Sequence, residues 1–114
     1  MSKDIEVSTR TKSMVFIIDI KGDVTATTGE SIVDAYQKVS VDRAKKIVLS
    51  FDKGSYINSG GIATLISIAA ESREKEQIIR ITGLSEHFQK IFTMVGLTKY
   101  TEIFPSEEAA LEGF

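Results

Sequence analysis

The sequence predicts an α/β fold, a mostly parallel sheet of four to five strands covered by about four helices. Short apolar segments of strand length alternate with segments whose apolar residues recur at helical spacing. The first two strand segments are adjacent along the chain. A helical segment follows the second strand and every later one, which predicts the order β-β-α-β-α-β-α-β-α. With 114 residues, one proline and no low-complexity segment, the chain is predicted to form a single domain over residues 1–114.

The first two strands and the first helix are predicted from periodicity and capping signals. Alternation of apolar and polar residues over 5–9 predicts a short edge strand, and a turn is expected over 10–13. The apolar run 14–20 predicts a second strand buried on much of both faces. Thr27 and Glu30 have capping-box spacing, with Thr27 as the cap. The helix that follows has an apolar stripe of Ile32, Val33, Ala35, Tyr36 and Val39.

The middle of the chain is predicted to contain a central strand, a helix and another strand. Residues 45–51 form an apolar run of strand length, and a second run covers 78–81, where Thr82-Gly83 ends it. Between them lies a helix that carries Ile62, Leu65, Ile66 and Ala69 on one face.

The last part of the chain is predicted to form two helices and a short strand. Ser85 is placed as the N-cap of a helix, and Gly96 as its left-handed C-terminal stop. A last strand covers 100–104, and 105–108 opens a terminal helix with acids in its first turn. In the helix between Ser85 and Gly96, the residues predicted to face the core are Phe88, Ile91, Phe92 and Val95.

Composition restricts the class of protein. The chain has 14 basic and 16 acidic residues, so its net charge of −2 does not indicate a nucleic-acid partner. It has no cysteine, which excludes disulfides and thiolate metal sites and favours a reducing compartment. The N-terminus lacks an apolar signal region, and the largely apolar run 62–70 is far shorter than the ~20 residues of a membrane span. We therefore expect a cytoplasmic protein that uses no membrane, metal or cofactor.

The segment Ser55–Ile66 is the most informative part of the chain. It is predicted to contain the end of a buried strand, a tight glycine-assisted turn and the start of a helix. Asn58 and Ser59 lie where the strand gives way to the helix, so a hydroxyl there would face free backbone N–H groups and the positive end of the helix dipole. Such a position suits a phosphate. As an ordinary N-cap, Ser59 would instead only stabilise the helix, by roughly 0.5–2 kcal/mol.

This segment resembles the phosphorylation loop of STAS domains, in particular of the bacterial anti-sigma factor antagonists. Their pattern is hydrophobic–Asp–Ser–Ser/Thr/Ala–Gly–Leu/Ile, and Ser59 matches the serine that accepts phosphate. The resemblance extends over nearly the whole chain. Gly22-Asp23 resembles the start of the family's Gly-Glu-Leu-Asp turn, with Thr25 at the position of its second acid, and Leu84–Leu97 resembles its last long helix and the turn that follows. The matching loop residues are Ile57, Asn58, Ser59, Gly60, Gly61 and Ile62.

Two residues of the loop depart from the family pattern. Asn58 replaces the aspartate, which keeps the turn preference but removes the charge and adds two N–H donors. If the kinase or its metal needs that carboxylate, phosphorylation would be slowed or abolished. Gly60 replaces the usual Ser, Thr or Ala, so that Gly60-Gly61 is expected to make the loop more pliable.

The resemblance implies a non-enzymatic regulatory protein that acts in a partner switch. The unphosphorylated protein would bind a serine kinase anti-sigma factor, so that a sigma factor is released. The kinase would then phosphorylate Ser59 and end the complex, and a metal-dependent serine phosphatase would reset it. A solvated turn acid is an equal alternative for Asp23, and a packing role is equal for Tyr56. The residues expected to bind the partner are Asp23, Thr25, Tyr56, Asn58, Ser59, Gly60 and Gly61.

Two other functions remain open from the sequence. The chain could be a STAS scaffold or sensory module that binds a protein or a small ligand without a phosphorylation cycle, and Asn58 motivates this alternative. An enzyme is the weakest choice. It would need His87, the one histidine, or paired acids to meet Ser59 in space, because a serine hydroxyl is a poor nucleophile without a base.

Overall fold

The structure, a computed structural model, describes residues 5–114. Its centre is a five-stranded sheet in the order β1-β2-β3-β4-β5. β1 and β2 are antiparallel, and the pairs β2–β3, β3–β4 and β4–β5 are parallel. The predicted fold class and element order are confirmed. The strands are β1 (Ile5–Lys12), β2 (Val15–Gly22), β3 (Lys46–Phe51), β4 (Ile78–Thr82) and β5 (Thr101–Phe104).

Four α-helices cover the sheet on its two faces. The larger core lies on the face under α1, α2 and α3, where Ile18 and Ile20 of β2 point. The alternate residues Val15 and Ile17 point to the other face and pack near α4. A short 3₁₀ helix that the sequence analysis did not anticipate, Leu97–Lys99, precedes β5. The helices are α1 (Gly29–Val41), α2 (Ser59–Glu74), α3 (Glu86–Met94) and α4 (Glu107–Leu111). In the described part of the chain, no helix has the length and apolar character of a membrane span.

The first hairpin is tighter than predicted. β1 continues to Lys12, and the turn consists of Ser13 and Met14, whose φ angles of 53° and 68° are both positive. Two left-handed residues are typical of a type I′ turn, whose twist matches that of the strands. Met14, predicted to begin the second strand, is therefore in the turn and is 88% exposed.

The prediction that Thr27 caps the first helix is wrong. Among the described residues, neither Thr27 nor Glu30 forms a side-chain cap, and the residue at the cap position is Thr28. Thr25 and Thr28 instead exchange hydrogen bonds. The Thr28 N–H donates to Thr25 Oγ1 (3.1 Å), and the Thr25 N–H donates to Thr28 Oγ1 (2.8 Å). The first N–H groups of the helix, those of Gly29, Glu30 and Ser31, donate to backbone carbonyls of the same turn, so the helix needs no side-chain cap from Thr27.

The end of α3 also differs in one respect from the prediction. Ser85 caps the helix by accepting from the Phe88 N–H, and Gly96 is left-handed with a φ of 85°, both as predicted. Phe88 and Phe92 are buried, but Val95 is 44% exposed because the helix ends at Met94.

Candidate functional site

Two loops meet beyond the carboxyl ends of β2 and β3. The Val24 N–H donates to the Tyr56 carbonyl (2.8 Å), and the Asn58 N–H donates to the Val24 carbonyl (3.0 Å). These bonds form a parallel bridge between Val24 and Ile57, and both side chains are buried. The two loops therefore form one continuous surface rather than two separately mobile segments.

Side chains add two further bonds between these loops. The Gly22 N–H donates to Ser55 Oγ (3.3 Å), and the Tyr56 N–H donates to Asp23 Oδ1 (3.3 Å). Ser55 is buried, so its hydroxyl stabilises the surface from inside. Asp23 lies at the same edge of the sheet as the loop with Ser59, as its place after β2 suggested, and its carboxylate is exposed. The residues expected to bind a partner are here called the Ser59 surface: Asp23, Thr25, Tyr56, Asn58, Ser59, Gly60 and Gly61.

Asn58, not Ser59, caps α2. The side-chain Oδ1 of Asn58 accepts from the Gly61 N–H (2.9 Å), and its carbonyl accepts from the Ile62 N–H (2.9 Å). Ser59 is the first helical residue and is exposed. Within residues 5–114 its hydroxyl makes no hydrogen bond, and neither do the N–H groups of Ser59 and Gly60. The interpretation of Ser59 as an ordinary helix cap is therefore wrong.

The two glycines have a packing role that the sequence analysis missed. A Cβ at Gly61 would lie 2.3 Å from the Val24 carbonyl oxygen, and one at Gly60 would lie 2.9 Å from the Cβ of Ala26. Both contacts are too close for a side chain. Gly60-Gly61 thus lets α2 lie directly against the segment 24–26, in place of the expected pliable loop. Ala26 is a neighbour of the site that its own residue type did not indicate.

Tyr56 extends the Ser59 surface towards α3. Its side chain is 58% exposed, and its ring meets that of buried Phe88 edge to face at 5.9 Å between centroids. Phe88 also contacts the exposed ring of His87 at 4.9 Å. The two alternatives for Tyr56 are thus combined, since it packs on one side and remains available on the other.

The arrangement around Ser59 provides a site for an anion rather than a base. No hydrogen bond joins His87 to Ser59 among the described residues, and the Thr25 hydroxyl is engaged with Thr28. The same part of the chain has no group of three or more His, Asp or Glu residues that could hold a metal ion. The Ser59 hydroxyl lies at the positive end of α2, where the N–H groups of Ser59 and Gly60 make no hydrogen bond among the described residues.

Replacing Asn58 with alanine is expected to lower the free energy of unfolding by about 1 kcal/mol, because the Gly61 N–H loses its acceptor. Urea denaturation measures the change. Asn58→Asp is the matched control, since a carboxylate can accept the same bond and also favours the helix N-terminus. Equal loss of stability in both variants would contradict the capping role.

The comparisons with known proteins identify the family and the fold of this chain. Residues 6–110 match the STAS domain family. An anti-sigma factor antagonist from Mycobacterium paratuberculosis has a similar structure, with a TM-score of 0.78, 19% identity, and coverage of 96% of this chain and 94% of that chain. The protein TM1081 has a TM-score of 0.78, 12% identity, and coverage of 92% and 85%.

A third similar structure is the Bacillus cell fate determinant SpoIIAA in its phosphorylated form, with a TM-score of 0.64, 15% identity, and coverage of 91% of this chain and 96% of that chain. At these identities, the three structures show the shared fold. The family match is independent of them and spans nearly all of the chain, from the first strand to the last helix. This chain belongs to the STAS domain family.

Proposed function

We propose that this chain is an anti-sigma factor antagonist, a regulatory protein that binds a serine kinase anti-sigma factor through the Ser59 surface. Phosphorylation of Ser59 by that kinase ends the complex, and a metal-dependent serine phosphatase restores it. The observation that carries the proposal is the exposed Ser59 hydroxyl, which makes no hydrogen bond within residues 5–114. It lies at a helix N-terminus where the N–H groups of Ser59 and Gly60 are also unbonded in that range. The partner supplies the catalytic groups, so this chain acts as substrate rather than enzyme.

A phosphate on Ser59 would change binding without unfolding the domain. It would add a charge of about −1.5 to −2 at neutral pH. The N–H groups of Ser59 and Gly60 and the dipole of α2 would stabilise that charge on this chain. A partner packed against the same surface would instead have to desolvate a dianion beside the carboxylate of Asp23. The expected consequence is loss of binding with the fold retained.

The similar structures support this function. They include an anti-sigma factor antagonist and a SpoIIAA in its phosphorylated form. In this chain, Ser59 lies at the N-terminus of α2 on a surface that hydrogen bonds between two loops hold in place.

A second candidate function is a STAS scaffold or sensory module without a phosphorylation cycle. One observation favours it. The Oδ1 of Asn58 is already engaged in the cap, and the rest of its side-chain amide offers only N–H donors. A neutral amide cannot accept the serine proton as the carboxylate of an aspartate could, and it brings no negative charge to attract a metal ion. A scaffold would keep its partner whatever the state of Ser59.

The test is capture of partners from the native cell lysate with wild-type, Ser59→Ala and Ser59→Asp proteins, read by mass spectrometry. Wild type and Ser59→Ala are expected to recover a serine kinase, whereas Ser59→Asp loses it because the added charge mimics the phosphate. Ser59→Ala is the matched control, since it removes the hydroxyl without adding charge. Recovery of the same partner by all three proteins would favour the scaffold.

The recovered kinase allows a second measurement, the incorporation of phosphate from ATP. Wild type is expected to accept phosphate and Ser59→Ala to accept none. Asn58→Asp is expected to accept it faster, because it restores the carboxylate of the family pattern beside the hydroxyl. Unchanged incorporation in Ser59→Ala would remove Ser59 as the acceptor.

A further inference from the structure

The outer edge of β1 is long, and it pairs with no other strand of the described chain. β1 has 8 residues that pair with β2 in continuous register without a bulge. It contains no proline or glycine. The opposite edge strand, β5, has only 4 residues and is followed directly by Pro105. A short strand and a following proline are two of the ways in which proteins prevent pairing at a sheet edge, and β1 has neither of them.

The hairpin geometry determines which backbone groups of β1 are free. Around a two-residue type I′ turn, Lys12 and Val15 form the closing hydrogen-bonded pair. Bonding residues alternate along an antiparallel ladder, so Lys12, Arg10, Ser8 and Glu6 direct their N–H and C=O groups to β2. The free N–H and C=O groups of the outer edge are therefore those of Ile5, Val7, Thr9 and Thr11.

A groove runs beside this edge and beneath α1. It is lined by residues 7–9 of β1 and by Ser31, Asp34, Ala35 and Lys38 of α1. Asp34 and Lys38 are exposed and make no ion pair within residues 5–114. One side of the groove is thus a sheet edge with free N–H and C=O groups to which a strand could pair. The other side carries one acidic and one basic side chain.

We propose that β1 pairs antiparallel with β1 of a second copy of this chain, on a twofold axis at Thr9. In this register, Thr9 faces Thr9, and Val7 faces Thr11 of the second copy, so that only residues with free backbone groups bond across the axis. A pair of threonines facing each other across two strands is favourable, because their hydroxyls can form a hydrogen bond. The two five-stranded sheets become one continuous sheet.

Charge complementarity favours this partner and this register. Glu6 of one copy faces Lys12 of the other, and neither makes an ion pair among the described residues. A register shifted by one residue per strand would place Glu6 opposite Arg10, which already pairs with Asp19 and Glu107. The Ser59 surface includes no residue of β1 or of the groove.

The first test is the mass in solution, measured by sedimentation or light scattering. Wild type is expected near twice the chain mass of 12.5 kDa. Thr9→Pro is expected at the mass of one chain, since proline removes the central N–H of the free edge but none that bonds β2. Thr9→Val is the matched control, which keeps the N–H and should remain a dimer. Circular dichroism verifies that each variant folds. A monomeric wild type, or a dimeric Thr9→Pro, would overturn the proposal.

The second test is cross-linking, which is specific because the chain has no cysteine. Facing residues of a hydrogen-bonded antiparallel pair lie about 5.5 Å apart between Cα atoms, within the range of a disulfide. Thr9→Cys is therefore expected to form a covalent dimer on oxidation. Glu6→Cys should not, because the axis places the two copies of residue 6 far apart. Cross-linking of Glu6→Cys as fast as Thr9→Cys would contradict the register and with it the proposed pairing.

Discussion

Replacing Gly61 with alanine is expected to lower the free energy of unfolding by about 3 kcal/mol. The added Cβ would lie 2.3 Å from the Val24 carbonyl oxygen and 2.7 Å from its carbon. Because these are backbone atoms, no side-chain rotation can relieve the overlap. Either α2 or the loop 22–25 must move, and the hydrogen bond from the Asn58 N–H to Val24 is the first that such a movement strains. The Ser59 surface is then separated into its two loops.

Urea denaturation of Gly61→Ala, with partner capture under folding conditions, measures both effects. Gly54→Ala is the control from the same connection between β3 and α2, because its Cβ would meet nothing closer than Asp52 Oδ2 at 3.9 Å. We expect a change within about 0.5 kcal/mol for that variant. A Gly61→Ala protein as stable as Gly54→Ala would show that the close approach of α2 to Val24 is not needed.

Local signals in the sequence were sufficient to predict the order of the elements. Strand-length apolar runs and helical stripes have different periods, and Gly96 and Ser85 were placed correctly because a left-handed stop and a side-chain cap depend on neighbours along the chain. The antiparallel first pair follows from two strands with no helix between them.

The Ser59 surface was predictable in position but not in geometry. Its residues follow β2 and β3, and the carboxyl ends of parallel strands meet at one edge, so Asp23 was expected near the loop. Which side chain caps α2 depends on where its first turn begins, and the structure begins it one residue earlier than a Ser59 cap requires. The need for Gly60 and Gly61 depends on residues 24–26, which are distant in sequence. No local signal reports such a contact.

The same limit explains the error at the start of α1. Thr27 and Glu30 have the spacing of a capping box, but so many hydroxyls lie close together that the spacing alone does not choose among them. Thr28 also donates from its hydroxyl to the Asp23 carbonyl (2.7 Å), which ties the turn to the loop carrying that acid. The tertiary arrangement of this loop therefore selected Thr25 and Thr28.

Replacing Arg80 with alanine is expected to cost about 3 kcal/mol and to release α4. The guanidinium lies over the ring of Phe114 at 4.1 Å and that of Phe104 at 4.9 Å. Its Nη1 donates to the carbonyls of Ala110 (2.9 Å) and Glu112 (3.0 Å), at the end of the helix. The buried Nε has no partner within residues 5–114, which offsets part of this gain.

Hydrogen exchange of the α4 amides measures the release. In Arg80→Ala, the exchange rate of these amides should rise before that of the sheet amides. Arg80→Lys is the matched control. It keeps the charge and the stem but cannot stack a planar group on the rings, so an intermediate loss is expected. Because α4 lies on the face of the sheet away from α2, capture of the partner by folded Arg80→Ala should equal that of wild type. Loss of capture in that folded variant would mean that the partner contacts both faces, and the Ser59 surface alone would then be too small an interface.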